Sequence, residues 1–169
     1  MIIFFFACKK EEVAVPDKTG NISFSLGYEA DGQAIITDTI KYPIDAGYLI
    51  SVVTLNYYLS EVKLIRSDGV ELVKDFHYAS LNDTATNVVS CSSALQGTYK
   101  GISFNIGIDS AHNVPDGLPN TTDNNNMIWP IPMGGGYHFM KFEGYFSDST
   151  GTFGYAMHIG KNENLVKIN

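Results

Sequence analysis

The chain has 169 residues and a formal net charge of −7, and it is long enough for one domain with a substantial hydrophobic core. Nucleic acids bind to basic surfaces, so this negative charge argues against a nucleic-acid partner. Ten Tyr, ten Phe and 16 Gly favour strands joined by turns, because aromatic side chains suit pleated surfaces and Gly suits turns.

The N-terminal stretch MIIFFFACKKEE is an apolar run that ends at Ala7-Cys8 and is followed at once by charged residues. This pattern is typical of the end of a bacterial lipoprotein signal, in which the cysteine is lipidated. A short buried strand with an ordinary cysteine is the alternative. We therefore interpret residues 1–8 as a lipoprotein signal remnant and Cys8 as the lipidation site. CKKEE also resembles the Lys-plus-acidic signal that directs Bacteroidetes lipoproteins to the outer cell surface.

A protein with this signal is expected to be exported and lipid-anchored, at the periplasmic face or the outer surface of the outer membrane. A lipid anchor tethers a protein without making it span the bilayer, and no stretch approaches the ~20 apolar residues of a transmembrane helix. Residues 9–20 (KKEEVAVPDKTG) are polar, with a Pro and a Gly, and predict a tether. Residues 21–169 are then the β domain.

Period-2 alternation predicts most of the strands of this domain. NISFSLGY forms the first strand, and the ADGQ turn joins it to AIITDTIKY in a predicted hairpin. Residues 52–66 alternate in two phases that slip at Ser60-Glu61, which predicts two strands or one bulged strand, with a helix as the competing interpretation. The remaining predicted strands are ELVKDFHY, YKGISFNIGID, YHFMKFEGYF, GTFGYAMHIG and NENLVKIN. LNDTATNVVSCSSALQGTY is predicted to be a loop with a short strand.

Residues of about 109–136 show no periodicity and predict one long irregular loop. The regular spacing of the strands, with turn signals between them and no helical period, indicates an all-β fold. We predict an antiparallel β-sandwich or a Greek-key barrel that carries this loop.

The sequence lacks the GxSxG, HExxH and phosphate-loop motifs, and we predict that the protein is not an enzyme. Its four histidines suit copper or zinc, because neutral imidazole is a common metal ligand and no CxxC pair is present. The alternation in YHFMKF places Tyr137 and Phe139 on one face and His138 on the opposite, solvent face. His138 therefore ranks last among the candidate ligands.

Two features of the long loop have ordinary explanations as well as functional ones. DSAHNVPDGLPNTTDNNN is rich in oxygen donors, which makes calcium the alternative metal, although Asn and Asp also cap turns. Trp129 is the chain's only tryptophan, and a single tryptophan in a β domain is most often a core anchor.

Several segments together resemble the MbnP-like family of periplasmic or lipid-anchored bacterial proteins, named for a methanobactin-associated copper protein. NYYLSEVKLIRSDG is similar to a Tyr-Tyr-x-Ser strand with its Asp-Gly turn, and FHY is similar to the His-bearing strand that follows. YKGISFNIGIDSAHN is similar to a Gly-x-Asp-Ser segment. NNNMIWPIPMGGGYHFMKFEGYF and MHIG are similar to the family's Met-aromatic-Trp, Lys-x-Glu-Gly and His-x-Gly signatures.

The resemblance implies a β-sandwich-like fold and copper, expected as Cu(I), bound by His158 with His112 or His77, beside Trp129. In the family a tryptophan is oxidised to kynurenine by a di-haem cytochrome c peroxidase-like partner, so Trp129 is the candidate for that modification. Family members usually continue beyond HIG, so a domain truncated at its C-terminus is one interpretation of this chain. The alternative function is a cell-surface binding or adhesion module without metal, with Tyr137 and Trp129 as exposed contact residues.

Overall fold

The computed structural model describes residues 18–169, so the predicted signal remnant, Cys8 and most of the predicted tether lie outside the described residues. The described strands are β1 (Thr19–Ser25), β2 (Glu29–Ala30), β3 (Gln33–Ala34), β4 (Tyr42–Pro43), β5 (Leu49–Ile50), β6 (Thr54–Arg66), β7 (Val70–Ser80), β8 (Val88–Leu95), β9 (Tyr99–Ile106), β10 (His138–Asp148), β11 (Gly151–Gly160) and β12 (Val166–Ile168). The one described α-helix is α1 (Thr122–Asn126), and 3-10 turns lie at Thr84–Asn87, Ile131–Met133 and Asn162–Asn164. None of the helices in this part is long and apolar enough to cross a membrane.

The long strand β6 lies at the centre of a curled, eight-stranded antiparallel sheet. One edge of β6 pairs with β7, while its other edge pairs first with β10 and then with β9. In turn, β10 pairs with β11 along nearly its whole length and with β5 near its end, and β12 and β4 lie at the two ends of the strand order. This arrangement confirms the predicted all-β antiparallel fold.

A separate two-stranded sheet, β1 with β8, packs through its apolar side chains on one face of the large sheet. The predicted hairpin between β1 and AIITDTIKY is therefore wrong. The ADGQ turn does reverse the chain, with positive φ at Asp31 and Gly32, but it joins only the two-residue strands β2 and β3. The alternating apolar face of β1 is half-buried against the large sheet, and this long-range packing decides its partner over the local turn.

The phase slip in β6 is a bulge. Glu61 has a φ of 48°, and the register with β9 shifts between Ser60 and Lys63. The extra residue brings Leu59 and Val62, three positions apart, into the same apolar cluster, which a strand of unbroken period 2 cannot do. The prediction of one bulged strand is confirmed, and the helix is wrong.

The predicted long loop is present and is held by its own buried side chains. Apart from α1 and one 3-10 turn it is irregular between β9 and β10. Six side chains form a closed core cluster beneath it, each at most 5% exposed: Tyr58, Ile108, Leu118, Met127, Tyr137 and Phe139. The Tyr58 hydroxyl donates a 2.7 Å hydrogen bond to Asn124 Oδ1 in α1, which fixes the helix over this core. The loop therefore reaches β10 in a defined conformation, with Trp129 just before it.

Candidate functional site

Trp129 is fixed by a turn of the loop that folds back on its indole. Its backbone N–H donates to the carbonyl of Gly136 at 2.8 Å, and its Nε1–H donates to the carbonyl of Met133 at 3.2 Å. Between these residues the chain forms the 3-10 turn and then three glycines with positive φ. At Gly136 a side chain would also collide with Asn113 Oδ1, at 2.4 Å. Glycine is needed there to close this turn, and Trp129 is left 8% exposed.

The indole lies against the end of β11. Gly160 is paired opposite His138 in the β10–β11 ladder. A Cβ at Gly160 would lie 2.7 Å from Trp129 Cε3 and 3.0 Å from Cζ3, which is too close for a real contact. The missing side chain of Gly160 therefore makes room for the tryptophan ring.

His138 lies directly beside Trp129, with ring centroids 4.6 Å apart, and is only 7% exposed. Its Nδ1 is 3.1 Å from the Met127 carbonyl. Because a carbonyl only accepts, Nδ1 carries the proton and Nε2 carries the free electron pair. Burial lowers the pKa of His138 below the ordinary histidine value, although the hydrogen bond to Met127 opposes this change. A neutral imidazole is the form that binds metals.

The predicted solvent exposure of His138 is wrong, and the cause is a second bulge. Two steps along β10, from His138 to Met140, match one step along β11, from Gly160 to Ile159. The alternation of faces is broken there, so both His138 and Phe139 are buried. In the sequence, the aromatic residues Phe139 and Phe142 are three positions apart, which breaks the period-2 alternation of faces. This break indicates a bulge but does not show which residue is the extra one.

His158, on β11, also contacts His138. The two imidazole centroids are 4.8 Å apart and the rings are nearly perpendicular. Glu143 Oε1 accepts a 2.6 Å hydrogen bond from His158 Nε2, so Nδ1 holds the free electron pair of the neutral ring. The side chains of His158 and Glu143 are 33% and 35% exposed. The group therefore runs from the buried Trp129 through His138 and His158 to the surface. No pattern in the sequence indicated Glu143 as a member.

The chemistry of His138 and His158 is that of metal ligands in general. Two neighbouring neutral imidazoles are ligands that suit copper or zinc, and each is oriented through its second nitrogen by an oxygen acceptor, as metal-binding histidines usually are. Within residues 18–169, no three His, Cys, Asp or Glu side chains form a group that could hold a metal ion. His138 and His158 are therefore the two imidazole donors that this group offers, with no third ligand of these types among the described residues.

The structure does not bring the other two predicted ligands to Trp129. His112 Nδ1 is 2.7 Å from Asp109 Oδ2, and its ring lies against Phe76. His77 Nε2 is 2.7 Å from a carbonyl of the 3-10 turn at Thr84–Asn87. In the described part of the chain, neither histidine has a hydrogen bond or ring contact with Trp129, His138 or His158. Their role as copper ligands stays a prediction.

Several of the oxygen donors that suggested calcium have structural partners. Asp109 accepts hydrogen bonds from His112 and from the backbone of Ala111. Burial raises the pKa of Asp109, but these hydrogen bonds outweigh it and lower that pKa below the ordinary value. Asn113 Oδ1 accepts from the backbone N–H of Tyr137, and Thr121 caps α1. These contacts favour the turn-capping interpretation of the segment.

Comparison with known proteins gives a family and a fold. The MbnP family model matches residues 19–169. The structure of MbnP from Methylosinus trichosporium is similar, with a TM-score of 0.60 and 12% sequence identity over 89% of this chain and 68% of that chain. At this identity the structural likeness supports the fold alone. No curated protein sequence matches the chain.

Proposed function

This chain belongs to the MbnP family, which is associated with methanobactin and copper handling, and on that premise we propose that it is an exported, non-catalytic copper-binding protein. The observation that carries the proposal is the contact between His138, His158 and Trp129. Two imidazoles and the only indole of the chain meet at the junction of the loop with β10 and β11. Their positions also coincide with the segments of strongest family resemblance.

The two histidines have different parts in the proposed site. His138 is buried and held by the Met127 carbonyl, so it is the rigid ligand, with Nε2 as the donor atom. His158 is half-exposed and held by Glu143, so it is the ligand through which copper enters and leaves, with Nδ1 as the donor atom. Cu(I), when bound, would accept electron pairs from both imidazoles. This proposal replaces His112 and His77 with His138 as the second protein ligand.

Trp129 is the proposed site of oxidation to kynurenine. Its indole lies against His138, so a kynurenine there would offer a carbonyl and an aniline nitrogen beside the imidazole pair. The indole is 8% exposed, so an oxidising partner would act from the surface near His158 without direct access to the ring. A di-haem cytochrome c peroxidase-like protein is the proposed partner. Lipidation at Cys8 and anchoring at the outer membrane belong to the same proposal.

The geometry does not favour the alternative function, a binding or adhesion module, because its proposed contact residues are buried. The alternative function requires Tyr137 and Trp129 to be exposed for a glycan or protein partner. Tyr137 is 4% exposed and Trp129 8% exposed, and the Tyr137 hydroxyl accepts a buried hydrogen bond from the backbone N–H of Leu118. These aromatic residues hold the loop, so the copper proposal fits the geometry better.

The proposal is tested by copper content and intact mass. The full chain is expressed with export to the periplasm, with and without a di-haem peroxidase-like partner, and copper per chain is measured against a competing Cu(I) chelator. We expect about one copper per chain, and a mass change confined to the peptide containing Trp129 when the partner is present. Copper with an unmodified mass would contradict only the oxidation. A chain that retains no copper under either condition would contradict the function itself.

A further inference from the structure

The described residues form two apolar clusters, which differ in how much of each is buried. Beneath the long loop, the first cluster has six buried members and three partly buried side chains packed against them. The second lies between the β1–β8 sheet and the large sheet, and its buried members are Leu59, Val62 and Val89. The side chains around them remain partly accessible to solvent: Phe24, Leu26, Tyr57, Val73, Ile102, Phe104 and Ile106. The facing apolar surfaces of the two sheets therefore do not fill the space between them.

That space is a cavity of about 340 Å³. Alternate residues of three strands line it. Phe24 lies on β1 and Leu26 just after it, Leu55 and Leu59 lie on β6, and Ile102 lies on β9. The rest of the lining is likewise aliphatic, aromatic or Met, and none of the lining side chains carries a charge. Protein interiors are normally close-packed, with few voids larger than a water molecule. Apolar surface that stays accessible to solvent in a space of this size is surface that an apolar ligand could cover.

We propose that this cavity binds one small, uncharged, apolar molecule, such as a medium-length alkyl chain. Its volume lies at the lower end of the roughly 300–1,000 Å³ found for ligand pockets, which are mostly apolar. A charged ligand is disfavoured, because the lining offers no partner for a buried charge. Trp129, His138 and His158 do not line the cavity, so this binding does not depend on the proposed copper function.

The fold allows such a ligand to enter. The β1–β8 sheet has its own hydrogen-bond ladder, and in the described residues no strand ladder joins it to the large sheet. The contact between the two sheets is made by apolar side chains and, at the end of β8, by hydrogen bonds of the Leu95 backbone with the side chains of Glu71 on β7 and Tyr99 on β9. The smaller sheet can therefore separate locally from the larger one without breaking a β-ladder.

Fluorescence of N-phenyl-1-naphthylamine, a neutral apolar dye, tests the proposal on the full metal-free chain. We expect saturable binding of one dye per chain, read by direct excitation of the dye. Displacement by 1-decanol should be stronger than displacement by decanoate or decyltrimethylammonium at the same concentration. Equal displacement by all three compounds, or no saturable binding, would overturn the proposal.

Two variants locate the dye. Ile102→Trp fills the cavity and should weaken dye binding at least tenfold. Met157→Trp adds the same side chain in a different apolar groove, on β11, where Met157 is 52% exposed, and should leave binding unchanged. If circular dichroism shows that Ile102→Trp does not fold, Leu55→Phe fills the same cavity from β6. If Met157→Trp abolishes dye binding and Ile102→Trp does not, the dye binds in the groove on β11 and the inference is refuted.

Discussion

A methyl group added at Gly160 would test whether close packing holds Trp129 in the site. The new Cβ would lie 2.7 Å from Trp129 Cε3 and 3.1 Å from the Tyr137 carbonyl oxygen. Gly160 does not have a left-handed conformation, so the cost of Gly160→Ala is steric. The Tyr137 carbonyl belongs to the backbone directly before β10, which is held by a bridge to Ile128. The indole therefore has to move, and it moves away from β11.

The magnitude follows from overpacking in a well-filled site. Adding a methylene to such a site costs about 1–3 kcal/mol. For a chain of this size each kcal/mol lowers Tm by about 2–4 °C, so we expect Gly160→Ala to lower Tm by about 2–12 °C. Because Trp129 is the only tryptophan, its fluorescence reports the displacement directly. Its emission should shift to the red, and acrylamide should quench it more strongly.

Gly154→Ala is the matched control, since it lies on the same strand and a Cβ there would meet nothing closer than 3.9 Å. Its Tm and Trp129 emission should stay at the wild-type values. Gly160→Ala with unchanged emission and unchanged Tm would refute the packing that is described for Trp129. A loss of Tm with unchanged emission would mean that β11 yields and the indole does not.

Three further predictions concern hydrogen bonds. Tyr58→Phe leaves the buried Asn124 Oδ1 without its donor and should cost about 1–3 kcal/mol in urea unfolding, while Tyr145→Phe, on a half-exposed side chain, should be neutral. Because the pKa of Asp109 is lowered in the folded state, its ionised carboxylate stabilises the fold at pH values above the unfolded-state pKa of about 3.9, and this stability is lost as pH falls through the folded-state pKa. Asp109→Asn should remove that part of the pH dependence of the unfolding free energy. An unchanged pH dependence would contradict the role of Asp109. Glu143→Gln should weaken Cu(I) binding about 10–100-fold, as loss of an outer hydrogen-bond partner does, and unchanged affinity would exclude a role for this carboxylate.

The sequence was informative wherever a strand had one buried face. Alternating side chains predicted β6 and β9, and the phase slip at Ser60-Glu61 predicted the bulge, because period 2 is a local property of the chain. The partner of β1 was not predictable in this way. A turn motif such as ADGQ fixes only a local reversal, and the strand that covers an apolar face is chosen by packing across the whole domain.

The candidate site was only half predictable for the same reason. Trp129 and His158 stand in segments that resemble family signatures, and the structure brings both into one group. His138 was missed because one extra residue in β10 moves it from the expected solvent face to the interior. Glu143 was missed because its contact with His158 is made across two strands, and no spacing within one strand reveals such a pair.

The most direct test of the central claim is the Cu(I) affinity of single histidine variants, measured by chelator competition. His138→Ala and His158→Ala should each weaken Cu(I) binding by at least about 100-fold. Each variant removes one of the two proposed ligands, and this loss should cost more affinity than the loss of an outer hydrogen-bond partner. His77→Ala and His112→Ala are the matched controls and should keep the wild-type affinity. An affinity that falls for the two controls but survives His138→Ala would contradict the site that is proposed here.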